Sequence, residues 1–242
     1  MQIDSLNQQM RTRTPQRRIS LRAVILAILA LLLLYVLVDL FWPFHRDLRQ
    51  LNPEETGKLE TAMWRSYYDR EPVQLFFQLA ELLRTQFQFP LLRSYRTAYF
   101  ASRAAFVFKD GSNRREYEQA LPYLESYFGA IRGIGNLEFN VQRAARLELE
   151  WWIVHRERDR NPPGALDRAC AEAAAALYRV SPDSTREHGR LRAAAMIIRD
   201  ARAASGNVSE KDWMLIESLL CECYRSLQKA VSPPGSSPGS SP

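Results

Sequence analysis

Four side chains that could do chemistry fall close together in one stretch: Glu148, Trp151, Trp152 and His155 are spaced three, four and seven residues from the first, so a helix places them on one face. A carboxyl and an imidazole beside two indoles can form a desolvated acid–base pair with shifted proton affinities. The same stretch carries Leu147, Leu149, Ile153 and Val154, which equally fits a polar pair at the edge of a core. Glu148 and His155 are therefore the catalytic candidates, and no second constellation supports an enzyme. Trp64 and Tyr68 upstream, with Trp151 and Trp152, are the aromatic residues expected to line any small-ligand or lipid pocket. Arg93, Arg96 and Arg103 lie within about 80° of one another around a helix, where they would meet a carboxylate ligand, lipid headgroups or simply solvent.

Metal and cofactor chemistry finds no footing. The histidines are His45, His155 and His188, with no paired Glu-x-x-His motifs, no Cys-x-x-Cys and no haem-attachment spacing, so neither a metal nor a cofactor is expected. Phosphate-cradling glycine loops and nucleophile elbows are missing as well. Cys170, Cys221 and Cys223 permit one intramolecular bridge, from Cys170 to Cys221 or Cys223, because two cysteines two apart on a helix point in different directions. Buried free thiols are the alternative.

The formal charge of +6 over 242 residues would raise nucleic acid as a partner if it lay on the folded part. It does not. Arg11, Arg13, Arg17, Arg18 and Arg22 against Asp4 hold about +4 of it before residue 23, and the remainder is close to neutral, so nucleic-acid binding is not expected. Residues 23–44 read AVILAILALLLLYVLVDLFWPF, roughly 33 Å as a helix and long enough to cross a bilayer. Asp39, the one charge inside, lies about a turn from the exit, near headgroup depth. Leu40 to Phe44 offer no small residues for a signal peptidase, so an uncleaved single-pass anchor is expected, with Phe41, Trp42 and Phe44 as an interfacial belt. The arginine excess before the span puts the N-terminus in the cytoplasm and the rest outside the cytoplasmic (inner) membrane. Only four lysines stand among the 33 basic residues, a bias of GC-rich, bacterial genomes.

Four segments follow: a basic cytoplasmic tail over 1–22, the anchor over 23–44, an extracytoplasmic helical domain over 50–231, and a disordered Pro/Gly/Ser tail over 232–242. Asn52-Pro53-Glu54-Glu55 starts a helix to about Asp69, and Pro72 opens another that ends by Pro90. Further helices are predicted over 91–108, from Tyr117 on with Pro122 interrupting, over 139–159, over 165–180, from a Ser181-Pro182-Asp183 cap to Ala204, and from a Ser209/Asp212 capping box to about Ala230. That cap also explains Asn207-Val208-Ser209 better than glycosylation does. The fold class is all-α, with about seven or eight helices as a bundle or a helical-hairpin array. Tyr117 to Leu121 with Tyr123 and Leu124 resembles the second helix of a tetratricopeptide unit, which implies helical hairpins; no copy recurs near 34 residues. A neutral helical domain without catalytic constellations leads to the expectation of a membrane-anchored interaction module with a protein partner in the membrane or envelope. A small-ligand or lipid-binding domain is the alternative, and an enzyme with an unrecognised acid–base site the third.

Overall fold

The computed structural model describes residues 20–232; the basic tail before residue 20 and the tail beyond residue 232 lie outside the described residues. The chain divides into two units, residues 1–41 and 42–242. The first holds α1 (Leu21–Phe41), a helix near the N-terminus that is long and apolar enough to cross a membrane. It stops three residues before the predicted end of the span, ahead of Pro43, and Asp39 is its one buried residue. Phe41 and Trp42 are exposed, whereas Phe44 does not stand free as a belt residue. Its ring lies 5.6 Å from the Arg46 guanidinium and 5.3 Å from that of Arg93.

The second unit is helical throughout, with no strand among the described residues. Its elements are α2 (Pro53–Tyr68), α3 (Pro72–Thr85), α4 (Leu91–Asp110), the single turn α5 (Arg114–Tyr117), α6 (Leu121–Ile134), α7 (Val141–Arg156), α8 (Ala165–Tyr178), α9 (Arg186–Ala204) and α10 (Glu210–Val231). Local chemistry explains most boundaries. Asn52 accepts from the amides of Glu54 and Glu55 ahead of Pro53, Asn140 caps α7 through the Arg143 amide, and Ser209 with Asp212 forms the expected capping box of α10. Pro122 interrupts the stretch resembling a tetratricopeptide helix, as predicted: a 3₁₀ turn at Glu118–Ala120 joins α5 to α6, because Pro122 lacks the amide that a continuous helix would need. One expectation needs correction. Ser181-Pro182-Asp183 is a turn rather than a cap. α9 begins after Thr185, whose fully buried hydroxyl donates to the Ala171 carbonyl.

Each of the eight longer helices packs on the next, and α10 returns to pack along α2, so the antiparallel hairpins close into a ring. Two close approaches tighten it. A Cβ on Gly57 of α2 would fall 2.6 Å from the Cys221 sulfur of α10, and one on Gly189 of α9 would collide with the Asp167 carbonyl of α8. The core is largest where α4, α6 and α7 meet, around Ala98, Ala104, Leu124, Phe128, Ala145 and Leu149. One end of the ring is covered by residues 45–52. Arg46 exchanges backbone hydrogen bonds with Ile134 and Asn136, the Leu48 carbonyl accepts from Tyr178, the Leu51 carbonyl from Gln228, and the Asn52 amide donates to Gln86. Leu48 and Leu51 are buried beneath this strap.

Candidate functional site

The ring surrounds a cavity of about 310 Å³ to which α2, α3, α4, α6, α7, α8, α9 and α10 all contribute side chains. Such a volume is at the lower end of ligand pockets, roughly 300–1,000 Å³, and its wall is mostly apolar and aromatic, as theirs are. Trp64 and Tyr68 from α2 and Trp151 and Trp152 from α7, the aromatic residues singled out in the sequence, all lie on this lining, and so do Glu148 and His155. Tyr127 of α6 joins them.

Glu60 of α2 anchors one wall. The Arg192 guanidinium engages both of its carboxylate oxygens, Tyr224 donates to Oε2 at 2.5 Å and the Trp64 indole to Oε1 at 3.1 Å. Arg192 lies 5.8 Å from the Trp64 ring and 5.0 Å from the Trp151 ring, so the cation of an ion pair between α2 and α9 is held between two indoles. Burial alone would raise the Glu60 pKa, but Arg192 and its hydrogen bonds outweigh it, and the carboxyl is held below its usual range. His188, behind this pair, is kept neutral: burial and the Arg192 charge push its pKa down to about 4.

Glu148 of α7 has a different environment. Its Oε1 accepts from the Trp152 indole at 3.1 Å, the Trp151 indole also favours its charged form, and no ion pair reaches it among the described residues. Protein packs round it on every side, and the surface it keeps opens on the cavity. Burial therefore raises its pKa, with Arg192 and the two indoles offsetting only part of that effect. His155, about two turns further along the same face of α7, does not bond to Glu148. Its Nε2 is 2.8 Å from Asp200 of α9, which also takes Arg158 at 3.1 Å and Arg199 at 3.1 Å. The acid–base pair expected from spacing is thus two separate groups with separate partners.

Asp200 marks a second, polar cleft of about 190 Å³ that shares Tyr67, Tyr68, Phe108 and His155 with the cavity and adds Arg156, Arg158 and Asp159. These residues belong to the ends of α2, α4, α7 and α9 remote from the strap at 45–52, so the cleft is a vestibule at the opposite end of the ring. Lys109 donates to the carbonyls of two of the cleft's lining residues, Tyr67 and Tyr68, and burial followed by repulsion from Arg70 and Arg199 lowers its pKa to about 8.

The chain matches no family model, no curated protein and no solved structure. The remaining expectations are decided by contacts alone. Arg93, Arg96 and Arg103 do not form one site: Arg93 donates to the Trp42 carbonyl at 2.5 Å, Arg96 lies over its own helix neighbour Phe100, and Arg103 lies over Tyr123 of α6. No bridge joins Cys170 to Cys221 or Cys223. All three are buried free thiols, with Cys221 directed at the Glu54 carbonyl and Cys223 3.0 Å from His188 Nδ1. Cys223 beside an imidazole is not an activated nucleophile, since burial raises the thiol and keeps the imidazole neutral. Among the described residues no group of three His, Cys, Asp or Glu side chains is placed to hold a metal. Glu60, Arg192, Tyr224, Tyr127 and Asp200 were not singled out in the sequence. Arg192 alone left a trace there, as a charge at the head of the apolar run Ala193 to Ile198.

Proposed function

We propose that the ring is a ligand-binding domain, tethered to a membrane by α1, which holds a small and largely apolar molecule in its interior. The observation that carries this reading is the cavity of about 310 Å³ lined by side chains from all eight longer helices of the ring. A space roughly twice the ~150 Å³ that admits benzene costs lost packing contacts, and occupation by a ligand restores them. Separate partners for Glu148 and His155 favour binding over acid–base catalysis. The arginine excess before α1 supports an N-terminus in the cytoplasm and a ring outside the inner membrane of a bacterial cell, while the basic tail itself holds most of the charge that would attract nucleic acid.

The test is calorimetric. Indole and 2-phenylethanol are expected to raise the unfolding temperature of the full-length chain in a concentration-dependent way, and Ala174→Phe, which fills the lumen from α8, is expected to abolish the effect. An unfolding temperature that neither probe moves, or that both move equally in the filled variant, ends this reading. A second reading, an interaction module with a protein partner in the membrane or envelope, is favoured by Met214 and Leu215, exposed together at the start of α10. Pull-down of the same proteins with and without residues 50–231 would end that one.

A further inference from the structure

We propose that the molecule held in the lumen carries a protonatable amine on a compact aromatic or alkyl body, with Glu148 as its counter-ion and the surrounding rings as its cage. The proposal rests on the ligand-binding reading above and gives that site its chemistry. Three observations converge. Glu148 turns its accessible surface to the cavity and accepts from the neutral Trp152 indole, but among the described residues no cation is bonded to it, so one strong interaction of its carboxyl is left for a ligand to make. Trp151, Trp152, Tyr127 and Tyr68 share the lining with it, and indole and phenol faces attract ammonium groups while they bury the hydrocarbon attached to them. The cation already present, Arg192, is spent on Glu60, engaged through both carboxylate oxygens with Tyr224 as a third contact, so its charge is balanced where it stands and does not exclude a second cation.

The remaining interior groups agree with this balance. His188 is neutral and the buried Cys170 is a thiol, so neither competes for Glu148 as a partner. An amine that enters as its ammonium forms an ammonium–carboxylate pair with Glu148, so the two opposite charges balance each other in the lumen. Neither a carboxylate nor a phosphate ligand could do this, because either would bring a second anion beside Glu148. The vestibule offers an entry route, with His155, Asp159 and Asp200 among the polar groups at the end of the ring remote from the strap.

The experiment is isothermal calorimetry on the full-length chain in zwitterionic nanodiscs, with empty nanodiscs subtracted, using 2-phenylethylamine and the near-isosteric 2-phenylethanol. The amine is expected to bind at least about tenfold more tightly than the alcohol, and Glu148→Gln is expected to reduce that preference to near unity. Equal binding of the two probes by the unsubstituted chain overturns the amine assignment and leaves the cavity as a site for neutral molecules. A preference that survives in Glu148→Gln overturns the role of Glu148. If neither probe binds, the amine assignment fails together with the ligand-binding reading. The comparison of probes on the unsubstituted chain decides the matter even if the variant does not fold.

Discussion

Glu60 and Glu148 are the same acid, each buried in the wall of one lumen, on helices that stand four places apart in either direction around a ring of eight. Their proton affinities move in opposite directions. Glu60 is supplied with an indole from its own helix, a tyrosine from α10 and an arginine from α9, and both of its carboxylate oxygens are engaged. Glu148 feels the Arg192 charge only at a distance, and among the described residues its hydrogen-bond partners are indoles rather than a cation. A saturated buried charge holds helices together, whereas an unsaturated one is costly to the fold and is tolerated where something else completes it.

The largest effect expected from breaking this contrast is on the saturated side. Arg192→Met leaves Glu60 without its cation in a closed interior and should destabilise the chain by about 3–5 kcal/mol in urea unfolding. Adding Glu60→Leu to that variant should recover a large part of the loss, because two apolar residues replace a pair that had paid for its own desolvation. A double variant no more stable than Arg192→Met would mean that Glu60 is not the group left stranded. The acid limb carries the same information. A carboxyl with a lowered folded pKa contributes stability that is present above its usual value of 4.5 and lost as the pH falls through the folded value, so this part of the acid unfolding should flatten in Arg192→Met.

Next in size is the seam that brings Glu60 and Tyr224 together. Gly57 lies three residues before Glu60 and meets Cys221, three residues before Tyr224, with no room for a Cβ between the two helices. Gly57→Val should cost about 1–3 kcal/mol by overpacking. It should also move the near-ultraviolet signature of Tyr224 on the saturated wall while leaving the indole pair beside Glu148 on the far side unchanged. Equal disturbance of both walls would show that the ring transmits strain all the way round, and that the two carboxyls do not act as separate regions.

The sequence carried the helices well and their closure not at all. Asn52-Pro53 and Ser209-x-x-Asp212 specify helix starts through local hydrogen bonds and Pro72 through its fixed φ at the first helical position, and local chemistry is readable from a single chain. Spacing likewise put Glu148, Trp151, Trp152 and His155 on one face, and all four line the cavity. What spacing cannot carry is which group arrives from another helix. Asp200 takes His155 away from Glu148 across 45 residues, and Arg192 reaches Glu60 across 132. The three arginines at 93, 96 and 103 share an angular sector of α4 yet rest on three different elements, because a 20-residue helix passes several neighbours along its length. The Cys170 bridge fails for a related reason. Cys221 faces α2 rather than α8, and Cys223 faces His188.

The smallest expected effect bears most directly on Glu148. Its folded pKa is raised, so as the pH climbs above the usual 4.5 the unfolded chain releases this proton first while the native chain still holds it, and stability falls with pH until the folded value is passed. Glu148→Gln keeps the shape and the capacity to accept from the Trp152 indole but removes the cost of ionisation. At neutral pH it should therefore raise the unfolding temperature of the empty protein by about 2–4 °C, a gain on the order of 1 kcal/mol, and below pH 4.5 the gain should vanish. Differential scanning calorimetry at pH 4 and pH 8 separates the outcomes: an equal gain at both values would assign it to packing, and a loss at pH 8 would mean that the carboxylate is already satisfied from within. A variant that is more stable when empty yet loses its preference for an amine would identify Glu148 as a residue held against the interest of the fold, whereas Arg192→Met, losing stability at every pH above the acid limb, marks its counterpart as serving the fold.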